Sequence, residues 1–152
     1  MNKYFQFEAD FVDSLRCIPM AVRYKLDTCG VKLKLQHWSE FSLAEKQSLM
    51  DLPCTIAPDI QQYRSHLHNL VQNHTGELPG DVAVSDFPEW QNIETIPESV
   101  ETQSQIVGIK LTLAQWENFS PIERFVLIKL SRSHHENKNF LPAIEEFNLQ
   151  GV

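Results

Sequence analysis

Gly30-Val31-Lys32-Leu33-Lys34-Leu35-Gln36-His37-Trp38-Ser39-Glu40-Phe41-Ser42 returns later in the chain as Gly108-Ile109-Lys110-Leu111-Thr112-Leu113-Ala114-Gln115-Trp116-Glu117-Asn118-Phe119-Ser120, at an ungapped offset of 78 (Gly30 to Gly108). Upstream, Ile18-Pro19 and Val22 match Ile96-Pro97 and Val100; downstream, Glu45, Leu49 and Leu52 match Glu123, Leu127 and Leu130. Two copies of one unit imply a pseudo-symmetric core, and they separate packing residues from those free to do something else. What recurs is a glycine, aliphatics, a tryptophan, a phenylalanine and a capping pair. None of these is a catalytic group.

The local signals around the copies are helical. Pro19 suits the first turn of a helix that Gly30 closes. Leu35, Trp38 and Phe41 follow at spacing three, which suggests a short helical turn or a brief strand entering one. Ser42-Leu43-Ala44-Glu45 reads as a capping box, with the serine oxygen taking the amide three residues on and the glutamate reaching back. Ser120-Pro121-Ile122-Glu123 repeats it with proline at the first helical position. The helix after Ser42 is amphipathic through Ala44, Leu49, Met50 and Leu52. The one after Ser120 is apolar nearly all round (Ile122, Phe125, Val126, Leu127, Ile128, Leu130), so it is expected to be the central buried helix. Further helices are expected over 7–17 (Phe7, Phe11, Leu15), with a strand at the first residues as the weaker reading. Others are expected from Ala57-Pro58 to Asn73, closed by Gly76, and over Leu141 to Leu149. The expected fold is mainly α, with two related helical units, about 18–53 and about 96–131, packed about a pseudo-twofold into one domain over 1–152. An acidic loop of about 77–95 joins them.

A chain of 152 residues with 42% hydrophobic content can bury such a core. Its net charge of −7 is unevenly placed. Residues 77–105 hold Glu77, Asp81, Asp86, Glu89, Glu94, Glu98 and Glu101 with no Lys or Arg, so that window carries the whole excess. A polyanion would be repelled there and meets no basic stripe elsewhere, which argues against nucleic acid as a partner. No apolar run approaches the roughly 20 residues that span a bilayer. The opening Met1 to Phe5 lacks the apolar stretch of a secretory signal, and Cys17, Cys29 and Cys54 are too few for a disulfide framework. A reducing, cytoplasmic setting is the expectation.

The residues offer little sign of chemistry. The cysteines have no Cys-x-x-Cys spacing. His66 and His68 sit about 200° apart around a helix, and His134 and His135 about 100° apart, so neither pair shares a metal. No Gly-x-Ser-x-Gly elbow and no glycine-rich phosphate loop is present. Neither a catalytic nor a metal site is expected, nor a stably bound cofactor. Cys29 reads as a small buried residue at a helix end, while the position of Cys54 after Pro53 allows an exposed thiol. Buried thiols are the expectation, with a thiol- or metal-dependent enzyme or carrier using either one as the alternative. A small-ligand sensor between the halves is a third possibility. Trp38 and Trp116 read as core.

Residues that differ between the copies are the better candidates for partner contact. Lys25 and Lys34 become Gln103 and Thr112 in the second copy. In the acidic loop, Phe87 and Trp90 stand among Glu89 and Glu94, an aromatic anchor ringed by charge. These six residues are the candidate partner-binding set.

The runs Phe5-Gln6-Phe7-Glu8-Ala9-Asp10-Phe11, Ser14-Leu15-Arg16-Cys17-Ile18-Pro19-Met20 and Arg23-Tyr24-Lys25-Leu26-Asp27-Thr28-Cys29-Gly30-Val31-Lys32-Leu33 resemble the nitrate reductase-associated protein family of cyanobacteria and some plants. The resemblance extends over the full chain. It implies a small accessory protein, with nitrate reductase as its partner, that the assimilatory enzyme requires to become active. Because that enzyme carries molybdopterin and iron–sulfur centres, a chaperone-like role in maturation or cofactor insertion is what the resemblance suggests. It provides no catalytic or ligand residue.

Overall fold

A computed structural model describes residues 5–9, 15, 17–134 and 136–150, the last two without their side chains. The chain is mainly helical and divides into two compact units, residues 9–85 and residues 5–8 with 86–152. Among the described residues no helix is long and apolar enough to cross a membrane. The helix expected over 7–17 falls mostly outside the described residues, as does His135. Its described start is a 3-10 turn at Gln6–Glu8.

In the first unit, α1 (Met20–Cys29) begins after Pro19 and ends at Gly30, whose φ of 76° lets its N–H close on the Leu26 carbonyl. The chain leaves as β1 (Val31–Lys32), which pairs antiparallel with β2 (Gly80–Asp81), Val31 opposite Asp81. A two-residue ladder is too short to leave a period in the sequence. Next come α2 (Leu35–Glu40) and α3 (Leu43–Asp51). The capping box forms as read: Ser42 Oγ accepts the Glu45 amide at 3.1 Å and the Glu45 carboxylate accepts the Ser42 amide at 2.7 Å. Leu49 and Met50 are buried, whereas Ala44 and Leu43 face out. α4 (Ala57–Thr75) is the long helix, stopped by Gly76 at φ 78°. Its buried face is Tyr63, Leu67, Leu70 and Val71. These residues join Val22, Leu26, Trp38 and Leu49 in the unit's core.

The second unit runs through α5 (Glu98–Ile106), α6 (Leu113–Asn118), α7 (Pro121–Arg132) and α8 (Phe140–Gln150). The Ser120/Glu123 box is formed, with proline in the first turn of α7. A further box stands at the start of α6, where Thr112 and Gln115 exchange the same two bonds. Its Thr-x-x-Gln signature is plain in the sequence and had no place in the expectation. α7 is the buried centre of its unit, with Arg124 through Ile128 and Leu130 all buried. α8 starts one residue before its expected position and buries Phe140, Ala143, Ile144 and Phe147. The turn at Gln6–Glu8 packs on α8. Glu146 accepts the amides of Gln6 and Phe7, each at 3.1 Å, and the rings of Phe5 and Phe7 stand edge-on to Phe147.

Gly30 and Gly108 share a left-handed φ but differ in surroundings. A Cβ on Gly30 would lie 2.8 Å from Val84 Cγ2 and 3.0 Å from the Val82 carbonyl, whereas one on Gly108 meets nothing within 4 Å. Gly108→Ala therefore has only the backbone penalty to bear, about 1 kcal/mol. Gly30→Ala adds a steric clash and is expected to cost about 2–4 kcal/mol. Denaturant midpoints of the two variants measure the gap, and equal losses would contradict the close approach at Gly30.

Candidate functional site

The six partner-binding candidates fall in two groups. Lys25 and Lys34 belong to the first unit, and Phe87, Glu89, Trp90 and Glu94 to the second. Lys34 is exposed at the start of α2, where its backbone amide reaches His37 Nδ1. Lys25 turns inward. Its ammonium donates to the carbonyls of Met50 and Leu52, each at 2.7 Å, and stands over the Tyr63 ring at 5.5 Å. The last carbonyls of a helix have no intrahelical donor and carry the negative end of the dipole, so a cation there stabilises the end of α3.

In the acidic stretch, Pro88 introduces a 3-10 turn at Glu89–Gln91. Phe87, just before it, is 63% exposed, an apolar ring left on the surface. Trp90 turns in, edge-on to Phe125 with centroids 5.2 Å apart. Glu89 and Arg132 form a bidentate pair with both contacts at 2.8 Å, and Arg132 Nε also reaches Ser99 Oγ. These residues line a surface cleft of about 610 Å³ with Glu98, Thr102, Gln103 and Ser131. Glu94 is exposed, and its amide donates to Asn92 Oδ1.

The buried Arg124 escaped the sequence reading. Its Nε donates to the Trp90 carbonyl at 2.6 Å. One terminal nitrogen fans over the carbonyls of Trp116, Glu117 and Phe119 at the end of α6. The guanidinium thus holds the acidic turn and α6 to the central helix. A cation set directly against the apolar run Phe125-Val126-Leu127-Ile128 was the available signal.

Cys29 and Cys54, far apart in sequence, are neighbours in the first unit. Cys29 Sγ lies 3.7 Å from the Leu26 carbonyl, and Cys54 Sγ 3.7 Å from the Lys25 carbonyl. The neighbouring Cys54 thiol, helped by the Val31 amide and the Arg64 guanidinium, holds Cys29 below the usual thiol range. The Cys29 side chain in turn pushes Cys54 up, as do burial and the charge of Cys29. Arg64 itself donates to the carbonyls of Cys29 and Gly30 and pairs with Asp81 at 2.6 Å. Among the described residues no group of three or more His, Cys, Asp or Glu side chains could hold a metal ion.

These features define the class, a mainly α protein whose polar side chains largely tie off helix ends and turns. The chain belongs to the family described as conserved nitrate reductase-associated protein, whose pattern matches residues 4–147. No curated protein and no solved structure matches it.

Arg124→Met removes a charge-assisted donor from several buried carbonyls, and the expected loss is about 2–4 kcal/mol with a red-shifted tryptophan emission as Trp90 loosens. Native-like emission and stability would contradict the anchoring role. The Glu89/Arg132 pair has a pH signature. The guanidinium's hydrogen bonds hold the Glu89 carboxyl below its usual range. Its contribution is complete above that range and fades as pH falls through the lowered value. Glu89→Gln should flatten the acid limb of the stability curve, as followed by thermal melts from neutral to strongly acidic buffers.

Proposed function

We propose that this chain is a non-catalytic accessory protein that binds assimilatory nitrate reductase in the cytoplasm and assists its maturation or cofactor insertion. Family membership over nearly the whole chain is the observation that carries the partner assignment. The duplicated helical scaffold belongs to the same reading. Pro19 and Pro97 precede helices, Gly30 and Gly108 take left-handed φ, and Trp38 and Trp116 are fully buried, all at equivalent positions. With those positions committed to packing, recognition falls to residues that the copies do not share.

Exposed Phe87 beside Asp86, with Glu94 further along the same acidic segment, supports docking there onto a basic patch holding an apolar pocket. Glu89 belongs to the internal pair with Arg132, so reversing its charge would set two cations together and confuse unfolding with lost binding. Asp86→Lys/Phe87→Ser/Glu94→Lys is the cleaner variant. Wild-type protein should co-purify with the reductase from cells grown on nitrate, and the triple variant should retain its melting point while recovering at least tenfold less enzyme, a change of about 1.4 kcal/mol. Undiminished capture would remove the acidic segment from the proposal. No capture by the wild type would remove the partner.

A further inference from the structure

The first unit contains two thiols that packing alone does not require to meet. Cys29 ends α1, and Cys54 lies in the link between α3 and α4; their sulfurs are held against consecutive carbonyls of the same helical turn, those of Leu26 and Lys25. The two side chains lie close enough for each to shift the other's titration. Both are free thiols and more than nine-tenths buried. A buried cysteine packs as a small apolar side chain, and its reactivity is what sets it apart from one.

The surroundings favour one reaction. Arg64 donates to the Cys29 carbonyl and stands as a positive charge beside that sulfur, which favours its thiolate, the form that attacks disulfides. The link carrying Cys54 has exposed neighbours on both sides: Pro53 and Thr55, then Leu52 at 37% and Ile56 at 58% exposure. Local opening of this short link uncovers the pair without disturbing α1 or α4.

We propose that Cys29 and Cys54 are a redox modification site, closing to an intramolecular disulfide by exchange with a low-molecular-weight disulfide such as oxidised glutathione. The Cys29 thiolate attacks one sulfur of the small disulfide. A Cys29 mixed disulfide forms, and one small thiolate departs. Cys54 then gives up its proton, and its sulfur displaces the second small thiolate from Cys29. Two protein thiols and one small disulfide become one protein disulfide and two small thiols, so both electrons pass to the small molecule. The bond fastens the end of α1 to the link after α3, where Lys25 already bridges the same two segments through the Met50 and Leu52 carbonyls.

The test uses the full chain with Cys17→Ser, which removes the half-exposed third thiol. The protein is equilibrated in glutathione buffers of rising oxidised fraction, then acid-quenched, alkylated and weighed intact. The expected product loses both alkylation sites together, carries no glutathione and yields a linked Cys29–Cys54 peptide on non-reducing digestion. Dithiothreitol should reverse it. Its melting point should rise by several degrees over the reduced form, since the bond restricts the unfolded chain between the two cysteines. Full alkylation of both cysteines in the most oxidising buffer, a persistent glutathione adduct or an intermolecular disulfide would each overturn the proposal. So would a melting point at or below that of the reduced form, because the bond would then not fit the native geometry. In Cys54→Ser, oxidised buffers should produce only the Cys29 glutathione adduct, and its absence would remove Cys29 as the attacking group.

Discussion

Each unit is organised by a buried tryptophan whose indole N–H must find an acceptor. Trp38 and Trp116 are fully buried, so an unpaired Nε1 would be left desolvated at a cost of about 1–3 kcal/mol. Trp38 donates to the Leu15 carbonyl at 2.8 Å, and Trp116 to the Asn92 carbonyl at 2.9 Å. In both cases the acceptor is a backbone group more than twenty residues upstream, ahead of the helix that precedes the glycine. The bond therefore fixes how the chain enters the unit as well as where the tryptophan sits. Leu15 shows how firmly this is imposed: its φ is 58°, a left-handed conformation that disfavours a leucine by on the order of 1–2 kcal/mol. Burial of its side chain and the tryptophan bond to its carbonyl offset that strain. The ring edges of Phe41 and Phe119 then pack on their respective tryptophans at 6.3 and 6.4 Å, extending each core toward the capping box that follows.

The carbonyls at helix ends pose the same problem in both units, and different residues solve it. In the first, Lys25 reaches from α1 to the end of α3. In the second, Arg124 reaches from α7 to the end of α6 and on to Trp90. A lysine ammonium serves an end close to solvent, since it is compact and keeps its hydration when half-buried. The planar guanidinium suits the buried case because several donors diverge from one head and its charge is spread. Arg124 is 5% exposed, so the distinction follows the depth of the site. It also explains why the acidic stretch is more than a tether. Its turn is fixed by Arg124 on the backbone, by Trp90 against Phe125 and by Glu89 on Arg132, and Phe87 remains outside.

What could be read from the sequence was what depends on neighbours within four residues. The boxes at Ser42 and Ser120, the stops at Gly30 and Gly76 and the apolar wheel of α7 are all local, and each was legible. Thr112/Gln115 is equally local, a Thr-x-x-Gln pair whose counterpart in the first copy begins with a lysine. The features that stayed hidden join residues far apart in the chain: Arg124 with Trp90, Lys25 with Met50, Cys29 with Cys54. Composition cannot show which two of the three cysteines will meet. Lys25 illustrates the same limit, since a difference between copies marked it as free of shared packing. The fold gives it a structural task instead, donating to the carbonyls at the end of α3.

The runs that carry the family resemblance prove to be largely scaffold wherever they are described. Phe5 and Phe7 pack on Phe147, and the amides of Gln6 and Phe7 are taken by Glu146. Cys29 and Gly30 end α1 under the Arg64 guanidinium. Residues that identify a family this way report what the fold needs, and a partner need never touch them. A surface for a partner is more reasonably sought among side chains that the fold leaves largely exposed. Phe87 is 63% exposed, and an apolar ring in water is disfavoured in proportion to the area it exposes. The turn that presents it is held on three sides, so little conformational entropy remains to be lost on binding. An anchor already fixed in place costs less to bind than a mobile one, which is the physical reason for seating the proposed docking there.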